Sequence, residues 1–497
     1  MAEPRRAPDT GRALRILLAI TLLGGALRFA TLDVQSIWLD ESATMILVRR
    51  GLGGMLSHLS SSESAPPLYY VLVWAWTKVF GAGALGFRSL SALVGTLTIP
   101  VMYLAGKRVS PRAGLWAAAL TAVNPAMYYY SQEARAYGLL VFFAACAFVL
   151  WQRALDEPSA RNLAWWSAAS ALALLTHYFA VFLFIPEAVL LIRRIGFRRC
   201  RVAIGAVVLV GIALAPLALA QRSDGKAGWI EAESLSSRIA QSVKQFAVGL
   251  SAPLQIVAAP LIVLLAASVV LLLWRRGRER ERSAARDAAI VAAVALLIPL
   301  VLAAPHAIDV YDGRNVVATW VALAVLIAAG IGVGGTHEHE RWRGRWLGTL
   351  AGAGIVAISL AVVVAINVLS QYQRDDWRGA ARAIGSVGPD RVLVSSEFAS
   401  APLSIYLGPL SNPGRGTLHA SEVDFVSLRV RRSTSAPLPA PVPASAPPGF
   451  RLLGVKRSSS YAVARYVPTG GSGPASVSVA ALRHVEGEAG ADVMAAR

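Results

Sequence analysis

The chain has 497 residues, of which 55% are hydrophobic and only 15% are charged, and its mean hydropathy is +0.53. A soluble protein of this length carries about 25% charged residues, so the composition excludes an ordinary soluble enzyme and indicates a polytopic helical membrane protein. The net charge of +19 does not indicate nucleic-acid binding, because the basic residues form clusters between apolar segments. Cys146 lies in an apolar segment and Cys200 in a basic cluster, which argues against a disulfide framework.

We predict an all-α polytopic membrane protein with about 11 transmembrane helices, outer interfacial helices and a small C-terminal α/β extracytoplasmic domain. The predicted spans, in chain order, are Ala13–Ala30, Phe87–Ala105, Ala113–Tyr130, Gly138–Leu155, Leu163–His177, Tyr178–Ile192, Val202–Ala220, Pro253–Trp274, Ala288–Ala304, Val316–Val333 and Leu347–Leu369. The first span follows several arginines and is long for a signal peptide, so we interpret it as an uncleaved anchor.

The connecting segments alternate in charge, and this alternation predicts the orientation of the chain. The strongly basic connections are Lys107–Arg112, Arg193–Arg201, Arg275–Arg286 and Arg341–Arg345. By the positive-inside rule these lie in the cytoplasm, so the N-terminus is inside and everything after Leu369 is outside. Pro66–Phe80 is apolar enough to be a span, but counting it would reverse every later loop. We therefore interpret it as an interfacial or re-entrant helix on the outer face.

Three regions follow from this pattern. Residues 1–370 form the transmembrane domain, and residues 371–467 form a small extracytoplasmic α/β domain with a helix start near Asp375 and short strands such as Arg391–Ser396. Residues 468–497 are small and polar, and we predict them to be disordered. Leu163–Ile192 is long enough for one helix, although the loop charges favour two spans. The sequence contains no internal repeat of the kind found in many transporters.

The strongest local motif follows the first span and reads SIWLDE, Ser36–Glu41. It places two adjacent carboxylates, Asp40 and Glu41, at the predicted outer membrane boundary. A lone Asp-Glu pair in a loop is usually solvated surface. Here the stretch Ser42–Leu59 reads as an interfacial helix, so the pair is expected to lie against the bilayer, where ionisable groups tend to be functional.

A second motif, SQEARAYG (Ser131–Gly138), lies between two spans on the same predicted face. If the segment is helical, Glu133 and Tyr137 share a face while Arg135 points elsewhere. The structural alternative is a helix N-terminus at which Glu133 interacts with the helix dipole and Arg135 contacts lipid headgroups. This segment alone does not decide between the two.

Basic residues that break the positive-inside trend are candidate ligands of a lipid phosphate. Arg314, in YDGRN, is placed to bind phosphate through bidentate hydrogen bonds, and Arg88 and Arg135 are further candidates. Lys78 is better explained by headgroup contact. His177, in THYFA, is included as a candidate, although a lone histidine at a helix end is more often a packed, hydrogen-bonded residue.

These motifs, in the order SIWLDE, APPLYYVLVWAWTKVF, NPAMYYYSQEARAYGLL and HYFA, resemble family 39 type glycosyltransferases of the GT-C superfamily, such as protein O-mannosyltransferases and aminoarabinose lipid A transferases. The resemblance is dense over Leu27–Tyr178, looser to about Trp377, and absent from the tail. It implies a membrane enzyme that uses a polyprenyl-phosphate sugar, and it says little about the acceptor. Relatives with aminoarabinose donors present a lysine beside the Pro-rich entry to the interfacial helix, which is Ser64–Pro67 in this chain and carries none.

The resemblance implies that Asp40 is the base that activates the acceptor, or its metal-assisted equivalent, and that Glu41 is its usual companion. Glu133 matches a second-loop acidic residue and Arg135 belongs to the same motif. The resulting hypothesis is that Glu41 and Glu133 orient the acceptor or, with Asp40, hold a divalent cation such as Mg²⁺ or Mn²⁺.

In the same hypothesis, a polyprenyl-phosphate sugar donates to an extracytoplasmic glycan, lipid or protein at the outer face of a bacterial-type cytoplasmic membrane. Arg135 and Arg314 hold the phosphate, with Arg88, Tyr137 and His177 as further candidates. Displacement with inversion needs one carboxylate, whereas retention would need a second one as nucleophile. A lipid-sugar flippase, a non-catalytic lipid-binding assembly subunit and a glycan polymerase are the alternatives.

Overall fold

The computed structural model describes residues 10–223, 230, 233–304, 309–333, 338–428, 442–443, 445–471, 473–487 and 491–496. The chain divides into two compact units. The first unit comprises Met1–Leu32 and Leu47–Ala365, and the second comprises Asp33–Ile46 and Ile366–Arg497. The boundary near residue 366 lies close to the one predicted at 370. The assignment of Asp33–Ile46, which carries the SIWLDE motif, to the same unit as the C-terminal residues was not predicted.

The predicted spans all fall on helices. In chain order the helices before the C-terminal region are α1 (Thr10–Phe29), α2 (Leu39–Arg49), α3 (Gly51–Ser62), α4 (Leu68–Phe80), α5 (Ala84–Lys107), α6 (Pro111–Val123), α7 (Pro125–Ser131), α8 (Tyr137–Asp156), α9 (Ala160–Thr176), α10 (Val181–Ile195), α11 (Phe197–Ser223), α12 (Leu235–Val248), α13 (Gln255–Arg276), α14 (Glu279–Ala303), α15 (Trp320–Ile331) and α16 (Glu338–Val368). Short 3₁₀ turns at Tyr178–Ala180 and Val317–Thr319 precede α10 and α15.

Six helices in the described part of the chain are long and apolar enough to cross a membrane by length and composition. They are α5, α8, α11, α13, α14 and the segment Trp346–Val368 of α16. Leu68–Phe80 and Val317–Ile331 are apolar but shorter. Many of the side chains on these helices are large, apolar and exposed, for example Leu209, Leu264 and Val301. The helical membrane class predicted from the composition is confirmed.

Two of the predicted helix boundaries depend on local backbone geometry. His177 has an extended conformation (φ −157°, ψ 131°), so α9 ends at Thr176 and α10 begins at Val181. The alternative of one long helix over Leu163–Ile192 is therefore wrong. The predicted interfacial helix Ser42–Leu59 is two helices, α2 and α3, because Gly51 adopts φ +77°, which interrupts α-helical geometry and favours glycine.

The C-terminal part of the second unit is an α/β domain. Its elements are α17 (Trp377–Ile384), β1 (Arg391–Ser395), α18 (Ser400–Leu407), β2 (Leu410–Ser411), β3 (Thr417–Ala420), β4 (Glu422–Leu428), β5 (Phe450–Arg457), β6 (Tyr461–Pro468), β7 (Ala475–Ser478), α19 (Val479–Glu486) and β8 (Asp492–Ala496). The main sheet has the order β2-β8-β1-β4-β6-β5, and β3 pairs with β7 in a separate sheet. Strands β1 and β4 are parallel, and the other pairs are antiparallel.

Side chains from both faces of β1 are buried, because the sheet is covered on both sides. Leu393 packs with Trp377 of α17 and Leu403 of α18 on one face. Val394 packs with Leu482 of α19 on the other. A strand covered on both faces is expected to be a short continuous apolar run, and β1 has that pattern.

The prediction that residues 468–497 are disordered is corrected by the structure. This stretch contains β7, α19 and β8, and β8 lies between β1 and β2 in the main sheet. The side chains of Val493 and Met494 in β8 are 0% and 1% exposed. The strand is too short to be recognised from composition alone. Its conformation is decided by pairing with β1, about 100 residues earlier in the chain, with Val394 opposite Val493.

Removal of residues 491–497 from the full chain is expected to unfold the α/β domain. The truncation deletes two fully buried apolar side chains, each worth about 2–5 kcal/mol, from a domain whose total stability is about 5–15 kcal/mol. Limited trypsin digestion followed by mass spectrometry measures the change. Leu453→Ala, at a side chain 57% exposed on β5, is the control and should leave the digestion pattern unchanged. An unchanged pattern in the truncated chain would contradict a structural role for β8.

Candidate active site

The two carboxylates of the SIWLDE motif lie in the first turn of α2, in the second unit. Negative charges are favoured at a helix N-terminus by the helix dipole. The two residues differ in exposure: Asp40 is half-buried, and Glu41 is fully buried. Asp40 is therefore the more accessible carboxylate of the pair.

The buried carboxylate of Glu41 has a charged partner, Arg374, that the sequence analysis did not identify. Arg374 Nη1 donates to Glu41 Oε2 at 3.1 Å, and the Arg374 side chain is 6% exposed. The guanidinium carbon lies 5.8 Å from the centre of the Trp38 ring. A buried carboxylate without a partner is costly, so this pair explains how Glu41 is accommodated. The geometry favours a positioning role for Glu41 over direct contact with substrate.

In the first unit, the SQEARAYG motif is a turn and not a helix. Helix α7 ends at Ser131 and α8 begins at Tyr137, so the prediction that Glu133 and Tyr137 share a helical face is wrong. A tertiary contact forms at the point where α7 ends: Gln132 Nε2 donates to the backbone oxygen of Arg28 at 2.8 Å. The Arg135 amide donates to the Glu133 carbonyl oxygen at 2.8 Å, which closes the turn.

Helix α7 begins at an Asn-Pro pair. Asn124 accepts hydrogen bonds from the amides of Ala126 and Met127 at 3.0 and 3.1 Å, and Pro125 occupies the first helical position. Asparagine at the N-cap followed by proline is a strong helix start. The predicted span Ala113–Tyr130 is therefore divided at residue 124 into α6 and α7.

Arg135 forms an ion pair with Glu63, a residue that the sequence analysis missed. Arg135 Nη1 lies 2.5 Å from Glu63 Oε2, and the Glu63 side chain is 2% exposed. The Tyr70 hydroxyl also hydrogen-bonds Glu63, and burial together with this negative charge raises the pKa of Tyr70 well above its usual value. The position of Glu63, three residues before the Pro66-Pro67 pair, was the only available clue.

Arg135 and Arg314 both lie near His177. Both guanidinium groups are close enough to act electrostatically on the His177 imidazole, which is 5% exposed. The His177 ring packs against Tyr137 with 5.4 Å between ring centres. The structure thus brings together these four candidate phosphate ligands within the first unit, although they come from separate segments of the sequence.

Tyr130 and Glu133 lie near the four candidate phosphate ligands Arg135, Tyr137, His177 and Arg314. The Tyr130 ring centre lies 4.9 Å from that of Tyr137, and Gln245 Nε2 donates to the Tyr130 hydroxyl oxygen at 2.6 Å. The negative charge of Glu133 and the positive charge of Arg314 both act on the buried Tyr130 side chain. We call the set Tyr130, Glu133, Arg135, Tyr137, His177 and Arg314 the arginine cluster.

A further buried ion pair, between Arg238 and Asp309, stabilises the segment that carries Arg314. Arg238 of α12 donates to both carboxylate oxygens of Asp309 at 2.7 and 2.6 Å and to the Tyr311 carbonyl oxygen at 2.7 Å. Arg314 Nε lies 3.2 Å from Asp312 Oδ1. A bidentate guanidinium–carboxylate pair restricts orientation as well as distance. These contacts attach the backbone before Arg314 to α12.

Arg88, the remaining phosphate candidate, is buried, with 1% of its surface exposed. Its Nη1 donates to the Leu32 carbonyl oxygen at 2.7 Å. This hydrogen bond connects α5 to Leu32, in the turn that follows α1. The geometry favours a structural role for Arg88.

Arg28 of α1 holds the turn that contains Glu133 and Arg135. It is 1% exposed, and Arg28 Nε donates to Ser131 Oγ at 3.0 Å. Its other nitrogens donate to backbone carbonyl oxygens of Gly24, Thr121 and Ala122 at 2.8–3.0 Å. Thr121 and Ala122 lie in the last turn of α6, where a cation is favoured.

Arg28→Met is expected to lower both thermal stability and activity, because it leaves buried carbonyl oxygens without donors and releases Ser131. Each lost charged hydrogen bond contributes about 1.5–3 kcal/mol. Arg28→Lys should recover part of the loss. The matched control is Arg15→Met, at an exposed position of the same helix. Differential scanning fluorimetry in detergent measures the change, and equal melting temperatures for the Arg28 and Arg15 variants would contradict the prediction.

Asp40 and Glu133, which are predicted to hold a divalent cation, belong to different compact units. Within the described ranges, no group of three or more His, Cys, Asp or Glu residues is placed to hold a metal ion. Metal binding by this pair stays a prediction.

Residues 64–220 match the family model of the dolichyl-phosphate-mannose-protein mannosyltransferases. The match includes Arg88, Glu133, Arg135, Tyr137 and His177. No curated protein matches the chain in sequence.

Two solved structures of ArnT from Cupriavidus metallidurans are similar to the chain over almost its whole length. The apo structure aligns with a TM-score of 0.55 at 12% identity, and the structure bound to undecaprenyl phosphate aligns with a TM-score of 0.53 at 13% identity. In each comparison the alignment covers 92% of this chain and 98% of ArnT. The chain has the GT-C glycosyltransferase fold. The family match and the GT-C fold together support a sugar-transfer function.

Proposed function

We propose that this GT-C protein transfers a sugar from a polyprenyl-phosphate donor to an extracytoplasmic acceptor at the outer face of a bacterial cytoplasmic membrane. The observation that carries the proposal is that Arg135 and Arg314 both lie near the buried His177 ring, which packs against Tyr137 in the arginine cluster. Paired guanidinium groups suit the charge and geometry of a phosphate. The structure of ArnT with undecaprenyl phosphate is consistent with a ligand of this class.

The arginine cluster would bind the phosphate and stabilise it as a leaving group. When the bond between the anomeric carbon and the phosphate oxygen breaks, the electron pair stays on that oxygen. Arg135 and Arg314 would meet this developing negative charge, which is the usual source of catalysis when no strong general acid is present. Both residues have carboxylate neighbours, Glu63 and Asp312, which hold the guanidinium groups in orientation before the donor arrives.

Asp40 would act as the base. It takes the proton of the acceptor hydroxyl while that oxygen forms the new bond to the anomeric carbon, so the transfer proceeds with inversion. Half-burial leaves the carboxylate accessible to an acceptor. One positioned carboxylate is sufficient for general-base catalysis. A retaining reaction would require a second carboxylate as nucleophile close to the sugar.

The test is an assay of the purified full chain with a panel of synthetic polyprenyl-phosphate sugars and membrane extracts as acceptors. We expect one donor to be consumed, with one free polyprenyl phosphate released for each sugar transferred and an inverted anomeric centre in the product. Absence of transfer from every donor, with polyprenyl phosphate still bound, would favour a flippase or a non-catalytic lipid-binding subunit. Repeated addition of sugars to one product would identify a polymerase.

A further inference from the structure

The loop that precedes Asp40 is held by side chains from the C-terminal region of the chain. Arg378 Nη2 donates to Asp33 Oδ1 at 2.6 Å, and Arg378 Nη1 donates to the Asp33 carbonyl oxygen at 3.0 Å. Ser36 Oγ accepts from the Arg378 amide at 2.9 Å and donates to Asp376 Oδ1 at 3.2 Å. Hydrogen bonds from both side chains and backbone amides therefore connect residues 33–36 to residues 376–378, about 340 positions later in the sequence.

Arg374 contacts both the loop and the helix that follows it. Its amide donates to Gln35 Oε1 at 2.9 Å, and its guanidinium group pairs with Glu41 at 3.1 Å and lies 5.8 Å from the centre of the Trp38 ring. These contacts are buried: Glu41 is 0% exposed and Gln35 is 8% exposed. One side chain thus bridges the loop and the first turn of α2.

Other partners of the loop belong to helices of the α/β domain. Asp376 caps α17 by accepting from the Gly379 amide at 2.8 Å, and the adjacent Trp377 is buried in the domain core. The Ile37 amide donates to the hydroxyl oxygen of Tyr406, in the last turn of α18, at 2.7 Å. The loop is therefore attached to two helices that pack on the main sheet.

Glu41 and Asp40 are neighbours in the same helical turn, so anything that displaces Glu41 also moves Asp40. Removing Arg374 would leave a buried carboxylate without its charged partner, a change that is usually strongly destabilising locally. A shift of about 1 Å in a reacting group can reduce an enzymatic rate by about 100-fold.

We propose that the C-terminal α/β domain holds the loop of residues 33–38, which precedes Asp40, in place and that Arg374 is the positioning residue for Asp40. The proposal rests on the proposed function and deepens it, because it assigns a role to the domain. It differs from the alternative in which the domain binds the acceptor: a positioning role affects the rate of the chemical step, whereas an acceptor site affects the KM for the acceptor.

The test compares Arg374→Gln with Arg382→Gln in the full chain reconstituted in lipid nanodiscs. Arg382 is an exposed arginine in the last turn of α17, in the same unit as Arg374, and serves as the matched control. Hydrogen–deuterium exchange of the peptide covering residues 33–41 reports on the loop without requiring activity. Steady-state transfer from the active donor gives kcat and both KM values.

For Arg374→Gln we expect faster exchange in residues 33–41 and a kcat lowered by about 100-fold, with both KM values changed by less than about threefold. Arg374→Lys keeps the positive charge and should recover part of kcat. The Arg382 variant should match the parent protein in every measurement. A raised KM for the acceptor with unchanged kcat, or unchanged exchange in the loop, would overturn the proposal.

If Arg374→Gln does not fold, Arg378→Gln supplies the test, because its ion pair with Asp33 is more exposed, with side chains 23% and 55% accessible. We then expect faster exchange in residues 33–37 and a kcat lowered by about tenfold; unchanged exchange would again overturn the proposal. If the parent protein transfers no sugar from any donor, the proposed function fails. The exchange measurement still decides whether the domain holds the loop.

Discussion

Asp40→Asn is expected to reduce sugar transfer by about 10²–10⁴-fold, the usual contribution of a general base. Asparagine has almost the same shape as aspartate but cannot take the proton of the acceptor hydroxyl. Because Asp40 is half-buried and adjacent to the Glu41–Arg374 pair, the substitution should leave the loop and the domain folded. Donor binding should also be retained, because the phosphate ligands are contributed by other segments. The measurement is kcat for transfer from the active donor.

The matched control is Asp390→Asn, at an exposed position before β1 in the same unit. It removes one negative charge from the second unit without touching the SIWLDE motif, and it should leave kcat unchanged. Full turnover by Asp40→Asn would show that another group accepts the proton.

Replacing Arg135 and Arg314 together with glutamine is expected to weaken binding of polyprenyl phosphate by about 100-fold or more. A hydrogen bond to a charged group contributes about 1.5–3 kcal/mol, and each 1.4 kcal/mol is a factor of ten in affinity. Loss of both guanidinium groups is therefore expected to lower the affinity for polyprenyl phosphate about tenfold twice, or about 100-fold in total. Each single variant should weaken binding by about tenfold. Native mass spectrometry with added undecaprenyl phosphate, without a sugar, measures the dissociation constant.

Lys78→Gln is the control for this double variant. Lys78 is exposed near the end of α4 and lies 5.4 Å from the centre of the Trp74 ring, as expected for a residue at the headgroup boundary. Its replacement should leave the affinity for undecaprenyl phosphate unchanged. If the double variant binds as tightly as the parent protein, the phosphate does not bind at the arginine cluster, and the assignment of the donor site is wrong.

Much of the candidate site could be identified from local sequence. SIWLDE and SQEARAYG were recognised because they place ionisable residues between apolar segments, where such residues are costly unless they serve a function. Glu63 and Arg374 were missed. Neither lies in a distinctive local pattern, and each becomes significant only through a partner far away in the chain, Arg135 in one case and Glu41 in the other.

The conformation of the second motif also depended on distant residues. Seen alone, SQEARAYG is compatible with a continuing helix, and the expected shared face of Glu133 and Tyr137 followed from that assumption. In the structure, Gln132 forms a hydrogen bond with the Arg28 backbone and Arg28 forms one with Ser131. These contacts come from α1, about 100 residues earlier, and they stabilise a turn where local preference alone allows a helix.

The sequence by itself determined the helical membrane class, the positions of the long apolar helices and the presence of an α/β domain. Long apolar segments and short apolar strands are local patterns whose meaning depends only on the hydrophobic effect and on helix or strand periodicity. Only the tertiary structure decided that Asp33–Ile46 belongs with the C-terminal unit, that β8 pairs with β1, and that Arg374 pairs with Glu41. A buried charge without an ion-pair partner and a strand edge without hydrogen-bond partners are both costly. The partners that remove this cost can lie anywhere in the chain, so local sequence does not identify them.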